Sequence, residues 1–205
     1  MAQVKKKEKR NAILKSASRL FRENGFLGCR MEAIASDAGT AVANLYVYFP
    51  SKLHLFYDVW TPLIEARMLK LAEDARQIDD SRQRLRFIFL SLWRDMPRED
   101  NQFAKNLMEA IITAPDSVEK PHDILKWCED FLNELIGECL PADRKFLVAD
   151  SKLSFLSWMA FDGFVVNVGK RESSKRNIEL LINHFADLLL YGEYRGLTAV
   201  ADSNS

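Results

Sequence analysis

The stretch from Ile13 to Lys52 constrains this chain most, because three apolar-periodic segments follow one another there with only tight turns between them. Ile13, Leu14, Ala17, Leu20 and Phe21 recur at i, i+1, i+4, i+7 and i+8, which is one face of a helix, and Asn24-Gly25 is a stop signal for it. After the connection from Gly25 to Cys29, Met31, Ile34, Ala35 and Ala38 mark a second, shorter helix closed by Gly39. A third follows almost at once. Pro50 ends it, since the residue before a proline is pushed out of the α region, and Ser51 can cap the next helix. Leu45 and Phe49, four residues apart, fit the inward face of the third helix, while Ala43, Asn44, Tyr46 and Tyr48 lie elsewhere. A helix, a short helix, a Gly turn and a second short helix make the layout of a helix-turn-helix, whose last member enters the DNA major groove.

Charge points the same way. The 205 residues carry a formal net charge of zero, but residues 1–55 hold +6 and the remainder −6. Such asymmetry suits an N-terminal quarter that meets a polyanion.

The specific residues of this region are Phe26, Met31-Glu32-Ala33-Ile34-Ala35, Ala38-Gly39, Leu45-Tyr46, Phe49 and Ser51-Lys52. At this spacing they resemble the N-terminal domain of the TetR/AcrR family of bacterial transcriptional repressors, over roughly Arg10 to Phe56. The resemblance implies that the third helix is the recognition helix. It assigns Tyr46, Tyr48 and Lys52 to the phosphate backbone, and Arg30, at the start of the second helix, to another phosphate. Lys52 also stands at a helix start, where the dipole favours an anion. Thr40-Ala41-Val42-Ala43-Asn44 departs from the family pattern, which often has a polar or basic residue after the turn. Asn44 can pair bidentately with an adenine edge, and Val42 or Ala43 can touch a thymine methyl. Because this helix has no charge, Lys5, Lys6, Lys7, Lys9 and Arg10 are expected to supply affinity as a flexible basic arm.

Beyond Ser51 the chain reads as helices separated by turn signals, and no clean alternating strand pattern occurs among its 8 Gly and 6 Pro. The expected segments are Lys52 to about Ile78, Arg82 to Asp95, Glu99 to Thr113, Pro121 to Cys139, Ala142 to Val168 and Ser174 to Tyr194, with a break at Met96-Pro97. The expected fold is therefore all-α: a DNA-binding head over residues 1–55 and a helical effector-binding and dimerisation domain over residues 56–205.

The family resemblance implies a ligand pocket in that second domain. Its candidate walls are Phe89, Trp93, Phe103, Met108, Ile112, Trp127, Phe131 and Trp158, an aromatic set with some Met that suits a small hydrophobic effector. Polar candidates are Arg94, Asn106, Glu109, His122 and Asp162. Asp162 interrupts an apolar run, where an unpaired carboxylate is costly if buried; it suits a cationic ligand, whereas an anionic one needs Arg94 or another base. The last two helices are apolar on wide faces, and Leu156, Phe164, Leu181, Phe185 and Leu188 are candidates for a homodimer interface. A C2 dimer presents two recognition helices about one DNA turn apart, hence to a pseudo-palindromic operator.

Enzyme readings find no support: there is no Gly-rich phosphate loop and no HExxH, and His54, His122 and His184 are scattered. Three cysteines without CxxC spacing indicate neither a disulfide framework nor a zinc site, and no metal or cofactor is expected. With no apolar run of membrane-spanning length, a cytoplasmic protein is expected. These features predict a ligand-responsive transcriptional regulator, a repressor that a hydrophobic effector releases from double-stranded DNA. The alternative is a helical dimer of the same kind that binds a small molecule or a protein partner and has weak or lost DNA binding, prompted by the uncharged third helix.

Overall fold

All regular structure among the described residues is helical; the computed structural model describes residues 2–99, 101–113, 123–167 and 178–192. The chain divides into two compact units, one of residues 1–66 with 102–124, the other of residues 67–101 with 125–205.

The first unit opens with α1, Ala2–Gly28, which is interrupted at Gly25, where φ is 74° and ψ 171°. The stop signal at Asn24-Gly25 thus becomes a break followed by one more turn. The basic segment is helical from Ala2 onward, a correction to the flexible arm expected from its charge. No Gly or Pro occurs between residues 2 and 24, and Ala, Lys, Glu and Arg are good helix formers, so nothing local unwinds it. Two short helices follow, α2 (Met31–Asp37) and α3 (Val42–Tyr48), then α4 (Lys52–Arg76), which keeps Pro62 inside it. Ser51 caps α4 as its sequence suggests, its hydroxyl accepting from the His54 amide at 3.3 Å.

Helices of seven residues are not stable alone, so packing must hold α2 and α3. Ile13, Ala17 and Phe21 of α1, Ile34 and Ala35 of α2, and Leu45 and Phe49 at α3 are all buried. Phe21, Phe26 and Phe56 form a three-ring cluster, with Phe56 edge-on to Phe21 at 5.3 Å and to Phe26 at 5.4 Å. The same unit holds α7 (Asn101–Thr113) from its second residue onward, in a segment, residues 102–124, that lies in sequence between two stretches of the second unit.

The second unit carries α5 (Ser81–Leu90), a π-helical turn (Ser91–Asp95), α6 (Met96–Glu99), α8 (Asp123–Cys139), a 3-10 stretch (Ala142–Val148), α9 (Lys152–Asn167) and α10 (Ile178–Tyr191). Met96-Pro97 does not break the chain, a second correction: a proline is tolerated in the first turn of a helix, and Pro97 is the second residue of α6. The long segment expected from Ala142 is instead two, divided at Ser151, which has φ 58°. The Asp150 side chain accepts from the Lys152 amide at 3.2 Å and so supports the turn between them. Asp187, fully buried on α10, receives Nε and Nη2 of Arg82 on α5 at 2.5 and 3.0 Å. Bidentate pairing is what lets a carboxylate sit that deep.

Candidate nucleic-acid interface

Gly39 makes the corner between α2 and α3. Its φ is 64°, and the chain closes α2 with the Gly39 amide donating to the Ser36 carbonyl at 3.2 Å and the Thr40 amide donating to the Ala35 carbonyl at 2.9 Å. This pair of bonds is the Schellman ending, which needs a left-handed residue at that position and so favours glycine there. Arg19 ties the same end of α2 to α1, donating to Glu23 and, at 2.6 Å, to Asp37; that hydrogen bond holds the Asp37 carboxyl below its ordinary pKa.

With the corner fixed, α3 divides cleanly. Leu45 and Phe49 are buried at its inner side, and Ala43, Tyr46 (51% exposed) and Val47 (74% exposed) form its outward stripe. Val47 was missed by sequence reasoning, although it follows Ala43 by one helical turn. Val42, Asn44 and Tyr48 flank the stripe and are half-buried. Asn44 donates through Nδ2 to the Thr40 hydroxyl at 3.1 Å, so one amide hydrogen is spent within the head.

The cations are less uniform than their sequence suggests. Arg30 is exposed at the N-cap of α2, and its side chain has no partner among the described residues. Lys5, Lys6, Lys7 and Lys9 are exposed along α1. Arg10 is engaged internally, with Nη2 2.6 Å from Asp58 and its guanidinium over the Phe49 ring. Lys52 is half-buried, its ammonium 4.5 Å from the centre of the Phe26 ring; burial lowers its pKa, against the opposing pull of Cys29 and Glu109. Burial also pushes the Cys29 thiol up, which removes the thiolate character that a reactive cysteine needs.

The candidate effector residues divide between the two units. Met108 and Ile112 belong to the first unit, and Ile112 is 75% exposed, so it walls nothing in the described chain. The side chain of Phe103 and the whole of His122 lie outside the described residues. In the second unit Phe89 and Trp93 are core: their rings lie 4.7 Å apart, and the Trp93 indole donates to the Ser157 carbonyl at 2.9 Å. Phe164 and Phe185, grouped on sequence with an interface, pack on Trp93 at 5.9 and 5.5 Å and are half-buried. Leu156, Leu181 and Leu188 do point outward. Trp127 stacks on Phe131 at 5.0 Å, and both are half-buried. Trp158 keeps a buried indole N–H with no partner among the described residues, and Asp162, one turn further along α9, has its carboxyl pushed up to about 6 by burial. Arg94 is already paired, with Asp95 at 2.7 Å and Glu179 at 3.0 Å.

Among the described residues no three His, Cys, Asp or Glu side chains gather as metal ligands, and no helix is long and apolar enough to cross a membrane. Residues 13–59 match the family described as bacterial regulatory proteins, tetR family. The chain is 29% identical to the HTH-type transcriptional regulator RutR of Escherichia coli K12 over 153 residues, 73% of this chain and 70% of that protein. It is 26% identical to the HTH-type transcriptional repressor KstR of Mycolicibacterium smegmatis over 171 residues, 80% and 83% of the two. Its fold resembles the transcriptional regulator FadR from Bacillus subtilis, crystallised in complex with stearoyl-CoA, with a TM-score of 0.59 at 19% identity over 88% of this chain and 97% of that one. A helix-turn-helix closed by a Schellman glycine, an outward stripe on its second short helix and the family match together identify residues 13–59 as a helix-turn-helix domain of the tetR type, and the chain resembles helix-turn-helix transcriptional regulators over most of its length.

Proposed function

We propose that this regulator is a one-component repressor, acting in the cytoplasm as a C2 dimer on a pseudo-palindromic operator and released from it by a small hydrophobic effector. Residues 1–55 act as the head and residues 56–205 as the effector-binding and dimerisation domain. The observation that carries the reading is the division of α3: Leu45 and Phe49 anchor it, which leaves Ala43, Tyr46 and Val47 to a groove. Ala43 and Val47 suit thymine methyls, the Tyr46 and Tyr48 hydroxyls suit phosphate oxygens, and Arg30 with the lysines of α1 adds phosphate contacts. Val42, Thr40 and Asn44 tune the edge of that contact.

Release is a population shift, in which an effector prefers the dimer geometry that cannot span the operator. The repressor KstR among the relatives and the stearoyl-CoA complex of FadR support repression and a bulky apolar effector. The polar features of the second unit favour a ligand with a hydrogen-bond acceptor for the Trp158 indole and a donor or positive group for Asp162. Arg94, the base suited to an anion, is occupied by Asp95 and Glu179.

A second reading, a helical dimer that has lost DNA binding, draws on Lys52 lying over Phe26 and Asn44 bonding Thr40. Selection of duplexes from a random DNA pool at two salt concentrations separates the two. The repressor reading expects a pseudo-palindromic motif whose binding weakens as salt rises, with the Tyr46→Ala and Lys52→Ala variants losing it. No enriched motif at either salt overturns the repressor reading in favour of the second.

A further inference from the structure

Asn106 is only 1% exposed, and a side-chain amide that deep must find partners for its donor and acceptor. It finds both on α1. Its Nδ2 donates to the Phe21 carbonyl at 3.0 Å, and its Oδ1 accepts from the Phe26 amide at 2.9 Å. These two backbone groups straddle Gly25, where the helix breaks with φ 74°. Such a break turns the following amide out of the i to i−4 ladder, so the bonds α1 cannot make for itself come from α7. The fit is close: a Cβ on Gly25 would stand 3.3 Å from Asn106 Oδ1 and 3.7 Å from Glu109 Oε2.

The residues just past Gly25 carry the consequence of this clamp into the head. Phe26 stacks with Phe21 at 6.0 Å, meets Phe56 edge-on and lies under the Lys52 ammonium. The Cys29 amide returns to the Gly25 carbonyl at 3.2 Å, and Arg30 then begins α2. Only four residues separate Gly25 from that N-cap, so fixing the Phe26 amide fixes where α2, and with it α3, enters the head. The side-chain amide that does so is carried by α7, within a segment, residues 102–124, that residues 67–101 and 125–205 of the second unit bracket in the sequence.

We propose that Asn106 is a positioning residue for operator binding: by clamping both sides of the Gly25 break it sets the stance of α2 and α3, and it is the point through which α7 acts on the recognition motif. The proposal rests on the operator-binding reading above. Asn106→Leu keeps the branched shape and removes both bonds, whereas Asn106→Asp keeps the acceptor for Phe26 and loses the donor to Phe21. Each full-length variant is compared with the wild type on the operator that the wild type selects and on a random-sequence duplex. The comparison is made at one salt concentration and at a temperature where circular dichroism shows every sample folded.

Operator affinity per folded dimer should fall roughly tenfold or more for Asn106→Leu and less for Asn106→Asp, with random-duplex affinity within about twofold, since misplacement costs specific contacts and spares the phosphate attraction. A purely structural role would lower the melting temperature and leave that ratio unchanged. Should the leucine variant fail to fold, the aspartate variant alone decides. Folded variants that bind the operator like the wild type overturn this proposal and leave operator binding intact, whereas a wild type that enriches no motif overturns operator binding and this proposal with it.

Discussion

Both α3 and α9 leave apolar side chains in solvent, yet the charges around them differ. On α3 the exposed Tyr46 and Val47 belong to a 55-residue stretch carrying a net +6, with Arg30 at the neighbouring N-cap. On α9 the exposed Phe155, Leu156, Met159 and Val166 lie in a 16-residue helix whose only charged residues are Lys152 and Asp162. On α10 Leu180, Leu181, Leu188 and Tyr191 add to the exposed apolar side chains of the second unit. Apolar contact inside a field of cations suits a groove walled by phosphates; apolar contact over a nearly uncharged helix suits another protein surface. The same kind of exposure therefore points to two different partners.

The largest effect should come from putting charge on the second surface. If the outward side chains of α9 and α10 meet their twofold copies, Leu156→Glu buries two unpaired carboxylates and weakens the dimer on the order of a thousandfold, about 4 kcal/mol. Sedimentation at micromolar concentration reads the change, and an unaltered mass would break the comparison. The two faces of α3 differ by less. Leu45→Ala should cost about 2–5 kcal/mol in thermal unfolding, because it empties a fully buried site, whereas Val47→Ala should stay within about 0.5 kcal/mol. Equal costs would mean that the outward stripe is not outward.

The smallest effect concerns Asp162. Burial raises its carboxyl from an ordinary 3.8 to about 6, so the folded chain holds this proton more tightly than the unfolded one. Its charged form therefore destabilises fully above pH about 6, and the penalty is relieved as pH falls from about 6 towards about 4. Asp162→Asn should gain about 1–2 kcal/mol at neutral pH and flatten that stretch of the pH–stability curve, less than for a fully buried carboxylate because the side chain is partly exposed to water. A variant no more stable than the wild type at pH 7 would show that Asp162 is well solvated.

Much of the head was legible because its signals are local. Periodicity places Leu45 and Phe49, Gly39 announces a left-handed corner, and Ser51 announces a cap, each within a few residues of the feature it creates. Val47 carries neither charge nor hydroxyl to mark it, yet the helical period puts it beside Ala43 and Tyr46 on the outward stripe. In the basic segment charge suggests a flexible arm, but the helix propensity of its Ala, Lys, Glu and Arg residues prevails. In the second unit the aromatic residues could be counted but not sorted. Nothing in the sequence separates Trp93, bonded to Ser157 in the core, from Trp158, whose indole N–H is buried without a partner among the described residues.

By itself the sequence determined the elements whose cause is short-ranged: the helical character of most segments, where α2 and α3 turn, and which side of α3 faces inward. Tertiary structure alone decided the pairings between distant residues: Asn106 with the two sides of Gly25, Lys52 with Phe26, Arg82 with Asp187, and Arg94 with Glu179. The physical reason is that helix propensity and turn geometry act over a few residues, whereas a buried amide or carboxylate must be satisfied wherever the fold brings a partner, and that partner leaves no mark at a fixed spacing along the chain.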